Sequence, residues 1–186
     1  MDVRQAGAAD WAALRRLRLR ALADSPGAFA STLEAELAFP DDVWRQRAGD
    51  DPAAATFIAA DGGADIGLAR IFAEPDPPGR THLVSMWVDP GHRRRGVARA
   101  LIDRAVRWAT EHRADEVILW VADHNAPARR LYEAIGFRPT GDRQPLPSDP
   151  AQRESLMRLP LPRGTGGGAG PGRAVPRRPE PRSAPP

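Results

Sequence analysis

Cysteine is absent from the 186 residues, which excludes a disulfide framework, a thiolate metal site and catalysis by an activated thiol. Lysine is absent too: every one of the 27 basic side chains is arginine. With the heavy use of Ala, Pro and Gly, this reads as the composition bias of a GC-rich coding sequence and says little about function. No apolar run approaches the roughly 20 residues needed to cross a bilayer. The first ten residues lack the apolar core of a signal peptide, because Asp2, Arg4 and Gln5 interrupt them, so a soluble cytoplasmic protein is expected. Metal chemistry has no foothold either, since His82, His92, His112 and His124 are scattered without the close pairing of zinc sites.

Positive charge is concentrated in one place. The pI near 10.7 suggests a nucleic-acid partner, yet residues 162–186 hold five Arg against one Glu and leave the rest of the chain at about −1. A general basic footprint is therefore missing, and no specific nucleic-acid binding is expected. The same segment holds seven Pro and six Gly, with Val175 as its only large aliphatic. Such a composition cannot bury enough apolar surface to offset the entropy of ordering, so 162–186 is expected to be a disordered tail behind one domain at 1–161.

Within that domain, Asp10–Ala23 has helical periodicity, with Trp11, Leu14, Leu17 and Leu22 favouring one side and Arg15, Arg16, Arg18 and Arg20 mostly the other. A second, broken helical stretch covers 33–48, restarted by Pro40-Asp41-Asp42. Thr56–Ala60 and Ile66–Ala73 flank Asp61-Gly62-Gly63 and read as a hairpin. Thr81–Val88 is a further strand, Gly96–His112 a helix and Val117–Val121 a buried strand. Ala126–Ile135 is the best-delimited helix, with Asn125 as N-cap, Pro127 in the first turn and Gly136 as the stop. Two last strands, from Phe137 and over 154–159, enclose a polar, proline-rich loop. The order is β-α-α-β-β-β-α-β-α-β-β, an α/β fold with a mixed sheet and no internal repeat.

The segment that carries chemistry is Trp87-Val88-Asp89-Pro90-Gly91-His92-Arg93-Arg94-Arg95-Gly96-Val97-Ala98-Arg99. It passes from a strand through a basic turn into a helix, which aims unpaired backbone N–H groups and the positive end of the helix dipole at one point. Gly96 and Ala98 let an anion approach the backbone, and Arg93, Arg94, Arg95 and Arg99 add charge, so a diphosphate suits the site. A solvated arginine loop, with Gly96 and Ala98 merely packing, explains the segment alone equally well.

This stretch resembles the coenzyme A loop of the GCN5-related N-acetyltransferase (GNAT) superfamily, Arg/Gln-x-x-Gly-x-Gly/Ala after a strand ending in Val-x-Pro. Here the match is Arg93-Arg94-Arg95-Gly96-Val97-Ala98 after Val88-Asp89-Pro90. The run from Asn125 to Phe137 is similar to the family's later motif, Asn-x-x-Ala-x-x-Leu-Tyr-x-x-x-Gly-Phe, and two ordered motifs weigh far more than one. Arg94 departs from the pattern, where many members have Gly.

The resemblance implies a central, mostly antiparallel sheet flanked by helices, and acetyl-CoA as co-substrate with no metal. It implies direct transfer to a primary amine of a small molecule or protein through a ternary complex. Residues 93–98, with Arg99, would hold the pyrophosphate; Trp87 and Val88 would meet the pantetheine, with the Val88 N–H polarising the thioester carbonyl. Asn125 would contact the cofactor while capping its helix, and Tyr132 would be the general acid. Spacing alone makes Tyr132 a core residue, since 128, 131, 132 and 135 form one stripe. The general base stays open among Glu34, Glu36, His82, Asp123 and His124. Trp120 stands where family members that acetylate ribosomal-protein N-termini place Glu, which weakens that acceptor. A non-catalytic acyl-CoA-binding module is the alternative, and it would have no need of Tyr132.

Overall fold

In a computed structural model of the chain, residues 1–49 and 51–162 are described. The tail expected over 162–186 lies, from residue 163 onward, outside the described residues. A seven-stranded sheet runs in the order β1-β2-β3-β4-β5-β7-β6, formed by β1 (Asp2–Gln5), β2 (Ala54–Asp61), β3 (Ala64–Ala73), β4 (Arg80–Val88), β5 (Glu116–Ala122), β6 (Arg138–Leu146) and β7 (Asp149–Pro160). Every neighbouring pair is antiparallel except β4 and β5, which are parallel and joined by a crossover helix. Among the described residues, no helix is long and apolar enough to cross a membrane.

Each face of the sheet is buried under helices. On one, α4 (Val97–Glu111) and α5 (Ala126–Ile135) lay Leu101, Ile102, Ala105, Trp108 and Tyr132 into a cluster with Phe57, Ile71, Val117, Leu119 and Phe137. On the other, α1 (Trp11–Asp24) sets Leu14, Leu17, Ala21 and Leu22 against Ile58, Leu68 and Trp87. The two broken helices are α2 (Leu33–Leu37), capped by Thr32 Oγ1 on Ala35 N at 3.2 Å, and α3 (Asp41–Ala48), with Asp41 and Asp42 in its first turn. Asn125 Oδ1 accepts from Ala128 N at 3.2 Å and caps α5 as the sequence predicts.

Two sequence expectations change. The proline-rich loop between the last strands is mostly strand, because β6 and β7 pair as a long hairpin from Arg138↔Arg158 to Leu146↔Asp149. Pro139 and Pro145 fit there because β6 is the edge strand, where a missing N–H faces no partner, and the register shifts beside both. Arg18 is not on the solvent side of α1: it is buried at 8 % exposure, one turn from both Leu14 and Leu22 on the inward face.

Candidate functional site

β4 and β5 pair only at Arg80↔Glu116, Thr81↔Val117 and His82↔Ile118. Beyond His82 they part, and a wedge opens between the second half of β4 and the tip of β5. The hydrogen-bond alternation along β4 decides which groups face it. Asp89 N donates to Ile66 O at 2.8 Å, so the neighbouring pair Gly67↔Val88 is the one that exchanges no bonds. The N–H and C=O of Val88 therefore point away from β3, toward the wedge. Its carbonyl accepts from Arg93 Nε at 3.0 Å. Ser85, at φ +56°, lies in a bulge of β4 where the register with β3 shifts between Leu68 and Arg70.

The loop after β4 is folded by its own polar groups. Asp89 Oδ1 accepts from Gly91 N at 2.9 Å and pairs with His92 Nδ1 at 3.2 Å. Arg94 at φ +61° and Gly96 at φ +83° are both left-handed, a conformation that glycine takes freely and arginine does not. Helix α4 makes its first backbone bond from Ala100 N to Gly96 O at 3.0 Å, which leaves the earlier N–H groups of Val97, Ala98 and Arg99 without an intrahelical acceptor. A Cβ placed on Gly96 would meet nothing within 4 Å, so the space over these donors is open. An anion fits that cradle.

The arginine side chains divide. Arg93 turns back to Val88 O and ion-pairs with Asp24, and Arg99 lies 3.7 Å from Asp103 on its own helix. Arg94 and Arg95 are exposed and have no hydrogen-bond or ion-pair partner among the described residues, so theirs are the uncommitted guanidinium groups of the loop. Helix α1 clamps the strand end. Asp24 accepts from Trp87 Nε1 at 2.9 Å as well as from Arg93 and Ser25, and Arg20 pairs with Asp89 while stacking 5.4 Å from the Trp87 ring. Burial alone would raise the Asp24 carboxyl, but the bonds from Ser25, Trp87 and Arg93 hold it below the usual carboxylate range.

Tyr132 is 7 % exposed and packs edge-on to Phe137 at 5.7 Å, in the cluster that also contains Val88, Val97 and Val121. Burial pushes its phenol well above its ordinary value, and its hydroxyl makes no hydrogen bond among the described residues. Spacing and motif pointed to different roles for this residue, and its burial accords with the core role that spacing implies.

The base candidates are mostly committed elsewhere. Glu36 is bound by Arg18 and Arg47, and these partners outweigh burial and hold it low. Asp123 is held low by Ser155 and by Arg143. His82 sits at the paired end of β4 against Glu74 at 3.0 Å, and burial lowers it despite that partner. Glu34 is exposed on α2; His124 is exposed beside Gly27, where a Cβ would lie 3.6 Å from its ring.

Glu154, which the sequence reading left as a strand residue, is different. It is 7 % exposed on β7 opposite Ala122, and burial raises its carboxyl although Gln144 Nε2 donates to it at 2.7 Å. Its neighbour Ser155 bonds Asp123, and Met157 joins the cluster under α4 and α5, so alternation turns Glu154 to the α1 face. The sequence carried no local signal for it, because the alternation toward the α4 and α5 cluster runs through Met157 and Leu159 and Glu154 is out of phase with them. On the same face, a cavity of about 330 Å³ lies under α1 and the two short helices, with Arg18, Glu36, Trp44, Arg47, Arg70 and Ser85 in its walls. Among the described residues, no group of three or more His, Asp or Glu is placed to hold a metal.

Comparison with known proteins adds sequence and fold relatives. The model of the acetyltransferase (GNAT) family matches residues 13–137. A mycothiol acetyltransferase of Beutenbergia cavernae is 34 % identical over 123 residues, covering 66 % of this chain and 39 % of the relative. The chain thus spans about two fifths of that protein's length. Among solved structures, a GCN5-related N-acetyltransferase from Kribbella flavida superposes with a TM-score of 0.71 at 25 % identity, over 86 % of this chain and 97 % of the other. An acetyltransferase of Salmonella typhimurium solved with its cofactor acetyl-CoA gives 0.66 at 21 % identity, over 92 % and 98 %, and bears on the fold alone.

Proposed function

The chain belongs to the acetyltransferase (GNAT) family, and from that premise we propose that it moves the acetyl group of acetyl-CoA directly to a primary amine while both substrates are bound. The observation that carries the reading is the end of β4: an N–H directed into a wedge between parted strands, followed at once by a helix N-terminus with open donors.

In this reading the loop from Arg93 to Ala98 and the first turn of α4 hold the pyrophosphate, with Arg94 and Arg95 as its charged side chains. Trp87 and Val88 meet the pantetheine, and Asn125 lines the other side while capping α5. The Val88 N–H donates to the thioester oxygen, where negative charge develops as the neutral amine attacks the carbonyl carbon. The C–N bond forms, the C–S bond breaks, and Tyr132 gives its proton to the departing sulfur. We assign the amine's proton to Glu154, because a carboxyl raised by burial is better suited to accept it than carboxylates held low by arginine.

The test is thermal stability with and without acetyl-CoA, for the wild type and for Gly96→Glu. Ligand at 100 times Kd should add about 2.7 kcal/mol if it binds only the folded protein. The variant puts a carboxylate and a β-carbon on a residue at φ +83°, and it should lose that gain while remaining folded by circular dichroism. No stabilisation of the wild type at saturating acetyl-CoA would sink the reading. Stabilisation with no transfer to any member of an amine panel would favour a non-catalytic acyl-CoA-binding module.

A further inference from the structure

The cavity beneath α1 holds about 330 Å³, within the range of small-molecule pockets. Its walls carry three guanidinium groups, Arg18, Arg47 and Arg70, against one carboxylate, Glu36. Glu36 is 1 % exposed and already taken: Arg18 Nε reaches both its oxygens at 3.1 Å, Arg18 Nη2 reaches one at 2.7 Å, and Arg47 Nη1 comes to 3.1 Å.

The donors are not all taken. Arg18 Nη1 and Trp44 Nε1 are buried and have no hydrogen-bond partner among the described residues. Arg70 gives Nη1 to Arg47 O at 3.0 Å and Thr56 Oγ1 at 3.1 Å, while its remaining nitrogens make no hydrogen bond among the described residues. Asp51 acts on Arg70 electrostatically from outside the cavity wall and offsets part of its charge. What remains is a positive, donor-rich chamber with no uncommitted carboxylate. Buried donors without partners are costly, and an oxyanion satisfies several at once while bringing negative charge; a carboxylate is the smallest such group that a small amine carries.

We propose that this cavity receives a carboxylate of the acceptor, so that the substrate is a small amine of the amino-acid type. A polyamine or other multiply cationic amine would bring its charges against the guanidinium groups and is disfavoured. Ser85, in the bulge of β4, lines the same cavity and joins it to the strand that borders the wedge. A carboxylate held by Arg70 and Arg47 thereby leaves the amine end of a short molecule free to reach toward β4. This assignment rests on the acetyl-transfer reading above, and its test separates the two.

The twenty protein amino acids and their C-terminal amides are compared as matched pairs by thermal shift, each with and without coenzyme A. Binding is decisive rather than rate, because amidation also lowers the pKa of the amine and so raises its reactive neutral fraction. At least one acid should bind tenfold or more tightly than its amide. Arg47→Gln and Arg70→Gln, each of which takes a guanidinium group out of the wall, should each bring that ratio toward one while the acetyl-CoA shift persists. Acids that bind no better than their amides, or a ratio that neither variant moves, would overturn the proposal. Because the pairs are also read without coenzyme A, they judge the cavity even if the wild type shows no acetyl-CoA shift, a result that counts against acetyl transfer alone.

Discussion

The Tyr132 phenol has no hydrogen-bond partner among the described residues, and burial makes it a weaker acid than a free phenol, so its proton would pass only to a sulfur on which negative charge is developing. Tyr132→Phe keeps the ring against Phe137 and removes only that proton. Turnover should fall by about 10² to 10⁴ with acetyl-CoA affinity nearly unchanged, measured by steady-state kinetics beside equilibrium binding. An unchanged turnover, with chemistry shown to limit the rate, would return Tyr132 to a purely packing role. Arg94 offers a second contrast, since its φ of +61° costs of order 1–2 kcal/mol for a side-chain-bearing residue. Arg94→Gly relieves that strain but restores unfolded-state entropy. The melting temperature should therefore move little while acetyl-CoA binding weakens, most clearly at low salt, as expected for a lost phosphate contact. The departure from the family pattern at Arg94 was legible in the sequence; its backbone angle was not. Arg18 shows the reverse, because the spacing 14-18-22 already placed it inward and only the default exposure of arginine argued otherwise.

At the scale of elements, the close approach of β3 to β4 makes the sharpest prediction. A Cβ on Gly67 would lie 2.9 Å from the Trp87 carbonyl oxygen and 3.2 Å from Leu101 Cδ1. The first neighbour is backbone and cannot rotate aside. Gly67→Ala should destabilise the protein by about 1–3 kcal/mol in denaturant melts. It should also raise KM for acetyl-CoA, because Val88 directly follows the displaced Trp87. Helices α4 and α5 were legible to within a residue or so, since an apolar stripe and capping residues mark each. The hairpin of β2 and β3 was equally plain, with Asp61-Gly62-Gly63 between two apolar runs. Strand β6 was legible as a strand beginning at Phe137 but not in its extent, because it lies at the sheet edge with most of its residues exposed, so the period-two signal that marks a half-buried strand is missing. The parting of β4 from β5 has no local sequence mark at all. It is a property of how two distant segments pair.

Across the described residues, four carboxyl groups are held below their ordinary range, Asp24, Glu36, Asp89 and Asp123, and one, Glu154, is held above. The lowered groups contribute stability that is fully present above their unfolded values, near 4, and is lost as pH falls through their folded values. Glu154 acts with the opposite sign, giving its contribution at low pH and losing it as pH rises through its folded value. His82, lowered by burial, adds stability that is fully present above its unfolded value near 6.5 and declines as pH falls from there. The melting temperature should accordingly begin to fall as pH drops below about 6.5 and fall more steeply below about pH 4, as followed by thermal melts through the acid range. Asp24 and Asp89 anchor α1 to the loop after β4, while Arg18 of that same helix enters the wall of the cavity. A helix moves as one body, so a displacement imposed by either ligand reaches the other. Linkage then demands reciprocity: the factor by which a bound amine changes the affinity for coenzyme A equals the factor by which coenzyme A changes the affinity for that amine. Titrations carried out in the two orders must close a thermodynamic square.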